Sequence, residues 1–254
     1  MDIATGLGLL IAVGMLFGPI IMAGDIMSFY DTQSLLLVIF GSTAAVLMSY
    51  TLNDMLSIMN ITKNAFFSKP QDMGRLIDSI VDLGEKARRD GILALEQEMG
   101  RIQDDFLKKA MQLAVDGNEP EVIENVMGVE IDKIEERHIT GISMFEALAT
   151  YAPAFGMLGT VIGLIQMLKS LDDPSSIGAG MALCLITTFY GSLVANVIGL
   201  PIAAKLKRRS KQEMLIKNML LFGVLSIHSG DNPRITRDKL ETFVPPKARK
   251  GSQK

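Results

Sequence analysis

The stretch PSSIGAGMALCLITTFYGSLVANVIGLPIAA, from Pro174 to Ala204, contains no Asp, Glu, Lys or Arg. An apolar helix needs about 20 residues to cross the hydrocarbon layer of a bilayer, so this stretch is long enough to span one. Three further charge-free stretches, 3 to 24, 32 to 53 and 147 to 168, repeat the pattern. Together they predict an all-α, polytopic membrane protein with four transmembrane helices at about 3–24, 32–53, 147–168 and 180–204, the last opening near Gly180. A helical cytoplasmic domain then occupies 54–146, and a C-terminal helix and tail occupy 205–254. Of 254 residues, 48% are hydrophobic, and the mean hydropathy is +0.30. These values argue against a soluble enzyme or a nucleic-acid binder. A cleaved signal peptide has a basic start and a short apolar core. This chain opens Met1-Asp2 and runs apolar to Ala23, so the first helix is expected to stay attached. The single cysteine, Cys184, leaves no disulfide framework within a chain.

Basic residues set the orientation. The segment 54–146 holds 11 Lys or Arg and the tail 205–254 holds 13, while the rest of the chain holds only Lys169. Basic residues near membrane ends stay on the cytoplasmic side. Both polar segments and both termini are therefore expected inside, with the short connections near Asp25–Asp31 and Lys169–Asp173 outside. The cluster Lys205, Lys207, Arg208, Arg209 and Lys211 reads as an orienting anchor against membrane lipids. The first cytoplasmic segment carries 19 acids and the tail 4, giving balances of opposite sign, so the two are expected to attract each other.

Within that segment, Leu95, Met99, Ile102, Phe106, Ala110 and Leu113 recur at helical spacing and predict one amphipathic face. A shorter helix from about Met73 to Arg88 precedes it and closes at Gly91. Asp116-Gly117-Asn118-Glu119-Pro120 reads as a turn followed by a helix with proline in its first turn. The third and fourth membrane helices are expected to continue below the membrane. Met214 to Ile227 is too short to span and should pack against cytoplasmic neighbours. The end of the chain, with Gly230, Pro233, Pro245 and Pro246, reads as loose.

No nucleotide-binding loop, nucleophile motif or paired-carboxylate site is visible, so neither an enzyme nor a bound cofactor is expected. His138 and His228 lack partners at metal-ligand spacing and read as surface residues. Cation transporters usually place an ionisable residue within the membrane, and these spans hold none. If ions pass, a partner must supply the carboxylate. What the spans do hold is small and hydroxyl residues. Gly156, Gly159 and Gly163 in the third span bring another helix close, and assembly with a neighbouring copy is expected to weaken on Gly163→Leu. A hydroxyl in a span commonly bonds the preceding turn of its own helix. Depth singles out two of them, because Thr160 lies 9 residues before Lys169 and Thr188 lies 8 after Gly180. Each is then roughly 12 to 14 Å below the outer surface at about 1.5 Å per residue. Their oxygens suit a hard cation such as Na⁺.

Several motifs in one order resemble the A subunit of the bacterial flagellar stator, the MotA/PomA family. They are Met1-Asp2-Ile3-Ala4-Thr5, Phe29-Tyr30-Asp31, Ala87-Arg88-Arg89-Asp90-Gly91-Ile92-Leu93-Ala94-Leu95-Glu96, and Ala152-Pro153-Ala154-Phe155-Gly156-Met157-Leu158-Gly159-Thr160-Val161-Ile162-Gly163. Leu171-Asp172-Asp173-Pro174, Thr187-Thr188-Phe189-Tyr190-Gly191 and Gly230-Asp231-Asn232-Pro233-Arg234 complete the set. The motifs of helices three and four alone are also similar to the TolQ/ExbB energy-coupling proteins, which have three spans.

The resemblance implies a ring of five chains around two copies of a MotB/PomB-like B subunit, whose membrane helix carries the ion-binding aspartate. It implies that cytoplasmic charges, here Arg88 and Glu96 with Arg89 and Glu98 beside them, engage the rotor protein FliG; on local chemistry alone they read as a solvated face or local ion pairs. It also implies conformational roles for Pro153 and Pro201, each of which removes a backbone bond and bends its helix. Sodium-driven members carry threonines where Thr160 and Thr188 stand, and proton-driven members carry alanine-like residues. The expectation is a stator subunit of the inner membrane that couples Na⁺ flow to torque, with H⁺ as the alternative ion. An energy-coupling subunit or a non-conducting scaffold are the other readings left open.

Overall fold

The computed structural model describes residues 3–24, 26–56, 72–169, 172 and 174–246. The opening Met1-Asp2, Asp25, Leu171, Asp173 and the basic end 247–254 lie outside the described residues. The chain divides into two units, Met1–Lys69 with His138–Arg208, and Pro70–Arg137 with Arg209–Lys254.

The first unit opens with α1 (Ile3–Met22), an apolar helix containing Pro19. A short 3-10 turn, Met27–Phe29, leads to Asp31. The Asp31 carboxylate accepts from Ser34 N at 2.6 Å and from Ser34 Oγ at 2.5 Å, a side-chain cap that starts α2 (Thr32–Leu35). A π-helical stretch, Leu36–Phe40, joins α2 to α3 (Gly41–Ser49). The helix ends at Ser49, four residues before the sequence expectation, because Tyr50 is extended. Thr51 and Asp54 explain the break: Thr51 N and Oγ1 donate to Asp54 Oδ2 at 3.2 and 2.7 Å, and Asp54 N donates to Thr51 Oγ1 at 3.3 Å. That reciprocal capping begins a new helical run at 52–56.

The unit continues with the later part of α6 (Pro120–Lys169), α7 (Pro174–Leu193), a second π-helical stretch, Val194–Gly199, and the first turns of α8 (Leu200–His228). The fourth apolar helix thus begins at Pro174 rather than Gly180. Proline suits a first helical position, where its missing N–H is not needed. The wide turn before Pro201 has Leu200 N donating to Ala195 O, and such turns give a proline ring room inside a helix. Three helical runs, Thr32–Ser49, Pro120–Lys169 and Ile177–His228, are long and apolar enough to cross a membrane, and α1 is a shorter apolar helix over its described residues.

The second unit is built from α4 (Met73–Asp90), a 3-10 stretch Ile92–Arg101, α5 (Asp105–Val115), the start of α6, the rest of α8, and α9 (Pro233–Glu241). Asp72 caps α4 by accepting from Gly74 N and Arg75 N. Gly91 ends it at φ 85°, a left-handed conformation that glycine adopts without strain. The periodic run from Leu95 to Leu113 is two elements, not one helix. Ile102 is extended and Asp104 caps a fresh start, accepting from Leu107 N at 2.9 Å. Leu95, Met99, Phe106 and Ala110 all remain in the core. From α8, Met219, Leu220 and Val224 are fully buried there, each contributing roughly 1.5–3 kcal/mol relative to exposure.

The opposite charge balances appear as specific pairs. Lys217 Nζ donates to Asp104 at 3.1 and 3.3 Å and lies 5.0 Å from the Phe106 ring centroid, while Arg237 Nη1 donates to Asp78 at 2.8 Å. The described part of the final stretch, up to 246, is not loose. Asn232 accepts from Arg234 N to start α9 with Pro233 in its first turn, and Thr236, Leu240 and Val244 are buried. His138 and His228 are half-buried rather than on the surface.

Candidate ion pathway and rotor-facing charges

In the first unit, α6 and α7 meet along glycines. A Cβ at Gly156 would lie 2.8 Å from the Thr187 carbonyl oxygen, and one at Gly163 would lie 2.9 Å from the Gly180 carbonyl oxygen. At Gly159 it would overlap the Thr187 side chain, and at Gly191 it would lie 2.7 Å from Ala152 O. The small residues therefore bring two helices together, but both belong to one chain. This corrects the expectation that the Gly159 and Gly163 face meets a neighbouring copy. Spacing along a helix shows that a partner approaches closely and says nothing about which chain supplies it.

The close approach sets the hydroxyls. Thr160 Oγ1 and Thr188 Oγ1 are 2.9 Å apart. Each also reaches its own helix: Thr160 Oγ1 to Gly156 O at 3.0 Å and Thr188 Oγ1 to Cys184 O at 3.0 Å. Cys184 Sγ donates across the pair of helices to Thr160 O at 3.1 Å. Thr187, by contrast, is fully buried and bonds only within α7, to Leu183 O and Cys184 O. Two hydroxyl protons thus serve three contacts around Thr160 and Thr188. When both protons point to helix carbonyls, the two oxygens turn lone pairs toward the same small space.

Two residues after Thr188, Tyr190 OH donates to Phe29 O at 2.6 Å and accepts from Asp31 N at 3.3 Å, and the Phe29 and Phe189 rings pack edge-on at 5.9 Å. These contacts tie the Phe29-Tyr30-Asp31 motif to α7. An open recess of about 520 Å³ lies against Asp31, Gln33, Gln166, Gly180, Leu183 and Ile186. The sequence puts Asp31 at the end of a short connection, and its position beside α7 emerges only from the fold. Pro153 lies on the α7 side, its Cα 3.0 Å from a Cβ built at Gly191, within an uninterrupted α6. Pro201 follows the π-helical stretch of the fourth apolar run. Among the described residues no group of three or more His, Cys, Asp or Glu is placed to hold a metal ion.

The four charges singled out in the second unit separate into two kinds. Arg89 donates to the Asp90 carboxylate at 2.9 to 3.1 Å, which raises the guanidinium pKa and lowers that of the carboxyl. Glu98 accepts from Lys86 at 2.7 Å and from Arg101 at 3.0 Å, and these bonds, the Lys86 one first, hold its carboxyl below the usual range. Arg88 and Glu96 are exposed and make no hydrogen bond or ion pair among the described residues. They sit on either side of the Gly91 turn, one at the end of α4 and the other in the 3-10 stretch.

The chain is similar to several known proteins. Residues 98–219 match the profile of the MotA/TolQ/ExbB proton channel family. The chain is 42% identical over 224 residues to motility protein A of Borreliella burgdorferi, covering 87% of this chain and 85% of that protein. It is 38% identical over 244 residues to chemotaxis protein PomA of Vibrio alginolyticus, covering 96% of each. Its structure superposes on MotAB of C. jejuni with a TM-score of 0.89 at 28% identity, covering 96% of both chains. It superposes on the flagellar MotAB stator complex of Bacillus subtilis with a TM-score of 0.89 at 29% identity, covering 100% of this chain and 99% of that one. With relatives of this identity along nearly its whole length, the chain belongs to the MotA/PomA family of flagellar stator proteins, within the wider MotA/TolQ/ExbB group.

Proposed function

We propose that this chain is the ion-conducting A subunit of a flagellar stator in the bacterial inner membrane, passing Na⁺ between its third and fourth spans and the membrane helix of a B subunit. Five copies form a ring around two B subunits, with four spans per chain and both termini in the cytoplasm. The 24 of 25 basic residues that lie in the two polar segments support that orientation.

The observation that carries the ion assignment is the 2.9 Å contact between Thr160 and Thr188 in apolar stretches that hold no Asp, Glu, Lys or Arg. A cation arriving partly dehydrated needs several oxygen ligands at once. The pair supplies two when Gly156 O and Cys184 O take the hydroxyl protons, and no rotation about the backbone is required. The missing negative charge comes from the partner's aspartate. The recess beside Asp31, one to two turns of α7 outward from Thr188, gives a polar approach. Swimming speed at fixed pH, measured while Na⁺ is replaced by K⁺, tests the assignment: speed collapses if Na⁺ drives the motor. A speed that ignores Na⁺ and follows pH would transfer the pathway to protons and leave the motor reading in place.

Topology has a direct check. An impermeant thiol reagent added to intact cells is expected to label Ser28→Cys and to spare Ser79→Cys, and the opposite pattern would reverse the orientation.

Torque reaches FliG through Arg88 and Glu96, the two of these four charges that pair with no other described residue, with Arg89 and Glu98 holding the ends of the face through Asp90, Lys86 and Arg101. Pairs formed across such an exposed face are screened by salt and act mainly on encounter and register. Arg88→Glu with Glu96→Arg is expected to reduce motility at unchanged membrane levels, and compensating reversals on the rotor should restore part of it. Intact swimming in the double variant would move the contact elsewhere.

A further inference from the structure

Lower α6 carries an exposed apolar row, Val122, Val126 and Val129, at 43, 41 and 54% exposure. It lies away from Ile123, Met127 and Ile131, which enter the core of the second unit. Steps of four and three place the row along one line of the helix. Its surroundings are acidic, with six acids against two bases between Pro120 and Arg137. One of those bases, Lys133, is paired with Glu136 at 2.7 Å. A second exposed row runs down α8 through Lys211, Leu215, Asn218 and Phe222, with Leu215 at 40% and Phe222 at 39% exposure. Bases border this row: Lys211 belongs to it, and Lys239 Nζ, which also donates to Asp231 at 2.9 Å, sits 5.8 Å from the Phe222 ring centroid. Scattered apolar surface residues need no explanation. Two rows of matching length and opposite charge do.

We propose that the valine row of one chain packs against the Leu215–Phe222 row of the next copy in the ring, forming a cytoplasmic interface between neighbours. The proposal rests on the ring reading above. Two different patches on one chain make a head-to-tail contact, the kind that closes into a ring when the rotation allows. Opposite charge around apolar centres favours this pairing over like meeting like. Depth fixes the register. Copies related by rotation about the membrane normal hold corresponding residues at one level, and residue count along a helix measures rise. Val129 and Phe222 each lie 18 residues from the charge-free stretch of their own helix, and Glu136 and Leu215 each lie 11. Phe222 therefore meets Val129. Leu215 meets the aliphatic stem of Glu136, with Lys211 a turn away from its carboxylate.

Paired cysteines test the register in membranes that contain the full chain and its B subunit. Val129→Cys with Phe222→Cys, and separately Glu136→Cys with Leu215→Cys, should give on oxidation a reductant-sensitive ladder running from dimers to the closed ring. Each single cysteine, and the out-of-register pair Val122→Cys with Leu215→Cys, should give none. The second in-register pair stands in for the first if that variant fails to accumulate on an immunoblot. An intact ring by particle mass with neither in-register pair cross-linked, or with the shifted pair cross-linked equally well, overturns the interface and leaves the ring standing. A wild-type complex whose mass holds a single copy of this chain overturns the ring reading, and the interface with it.

Discussion

Membranes carrying Gly163→Leu are expected to hold several-fold less folded chain than wild type, and Gly159→Leu the same, with motility lost in both. Overpacking a fitted site typically costs about 1–3 kcal/mol, and here part of what blocks the new side chain cannot swing aside. At Gly163 a Cβ meets the Gly180 carbonyl oxygen at 2.9 Å and Cys184 Sγ at 2.7 Å; at Gly159 it runs into the fully buried Thr187. A loss of about 1.4 kcal/mol is a factor of ten in the folded-to-unfolded ratio, and cellular proteases acting on the enlarged unfolded fraction turn that into lower abundance. Gly14 is the control, since nothing lies within 4 Å of a Cβ there, and Gly14→Leu should accumulate normally. Membrane immunoblots decide. Wild-type levels of Gly163→Leu with a smaller particle mass would return the glycine face to contact between copies.

The second large effect is on ion affinity. Thr160→Ala and Thr188→Ala each delete one oxygen of the proposed ion site while leaving the Cβ that packs the helices. Bonds to charged groups are worth about 1.5–3 kcal/mol, so the Na⁺ concentration giving half-maximal speed should rise by roughly 10- to 100-fold in each single variant. The double variant should rise by less than the product of the two, because the oxygens stand 2.9 Å apart and act as a unit. Serine at either position keeps the hydroxyl and should restore most of the affinity. A half-maximal concentration unmoved by both alanines would confine these hydroxyls to Gly156 O and Cys184 O, with no part in conduction.

Much of this architecture was readable before the fold was known, and the failures share one cause. Charge-free length identified the apolar helices, since no folded neighbour alters what a bilayer tolerates. Counting 1.5 Å per residue placed Thr160 and Thr188 at one level, and in the structure their oxygens are in contact. Periodicity misled at Ile102–Asp104 because Leu95, Met99, Phe106 and Ala110 must all reach the same core whether or not the helix is continuous. Side-chain caps carry the breaks there and at Thr51–Asp54, and a cap is one short hydrogen bond that leaves hydropathy unchanged. Composition likewise took Pro233 for a sign of disorder, although after Asn232 it begins a helix. The contrast between Arg88 and Arg89 is invisible in sequence: the two are adjacent and alike, and only Arg89 is turned onto Asp90.

The glycine contact between α6 and α7 also bears on the order of assembly. The two helices are consecutive in the chain, so their docking is a first-order event whose rate does not depend on how many copies a cell has made. Small-residue packing between helices already in the bilayer is enough to drive it. Each chain can therefore close its own pair, and bring the two threonines together, before it meets another subunit. Any further copies would then be recruited as finished units, and the dilution sensitivity of that step would belong to the surfaces between chains alone.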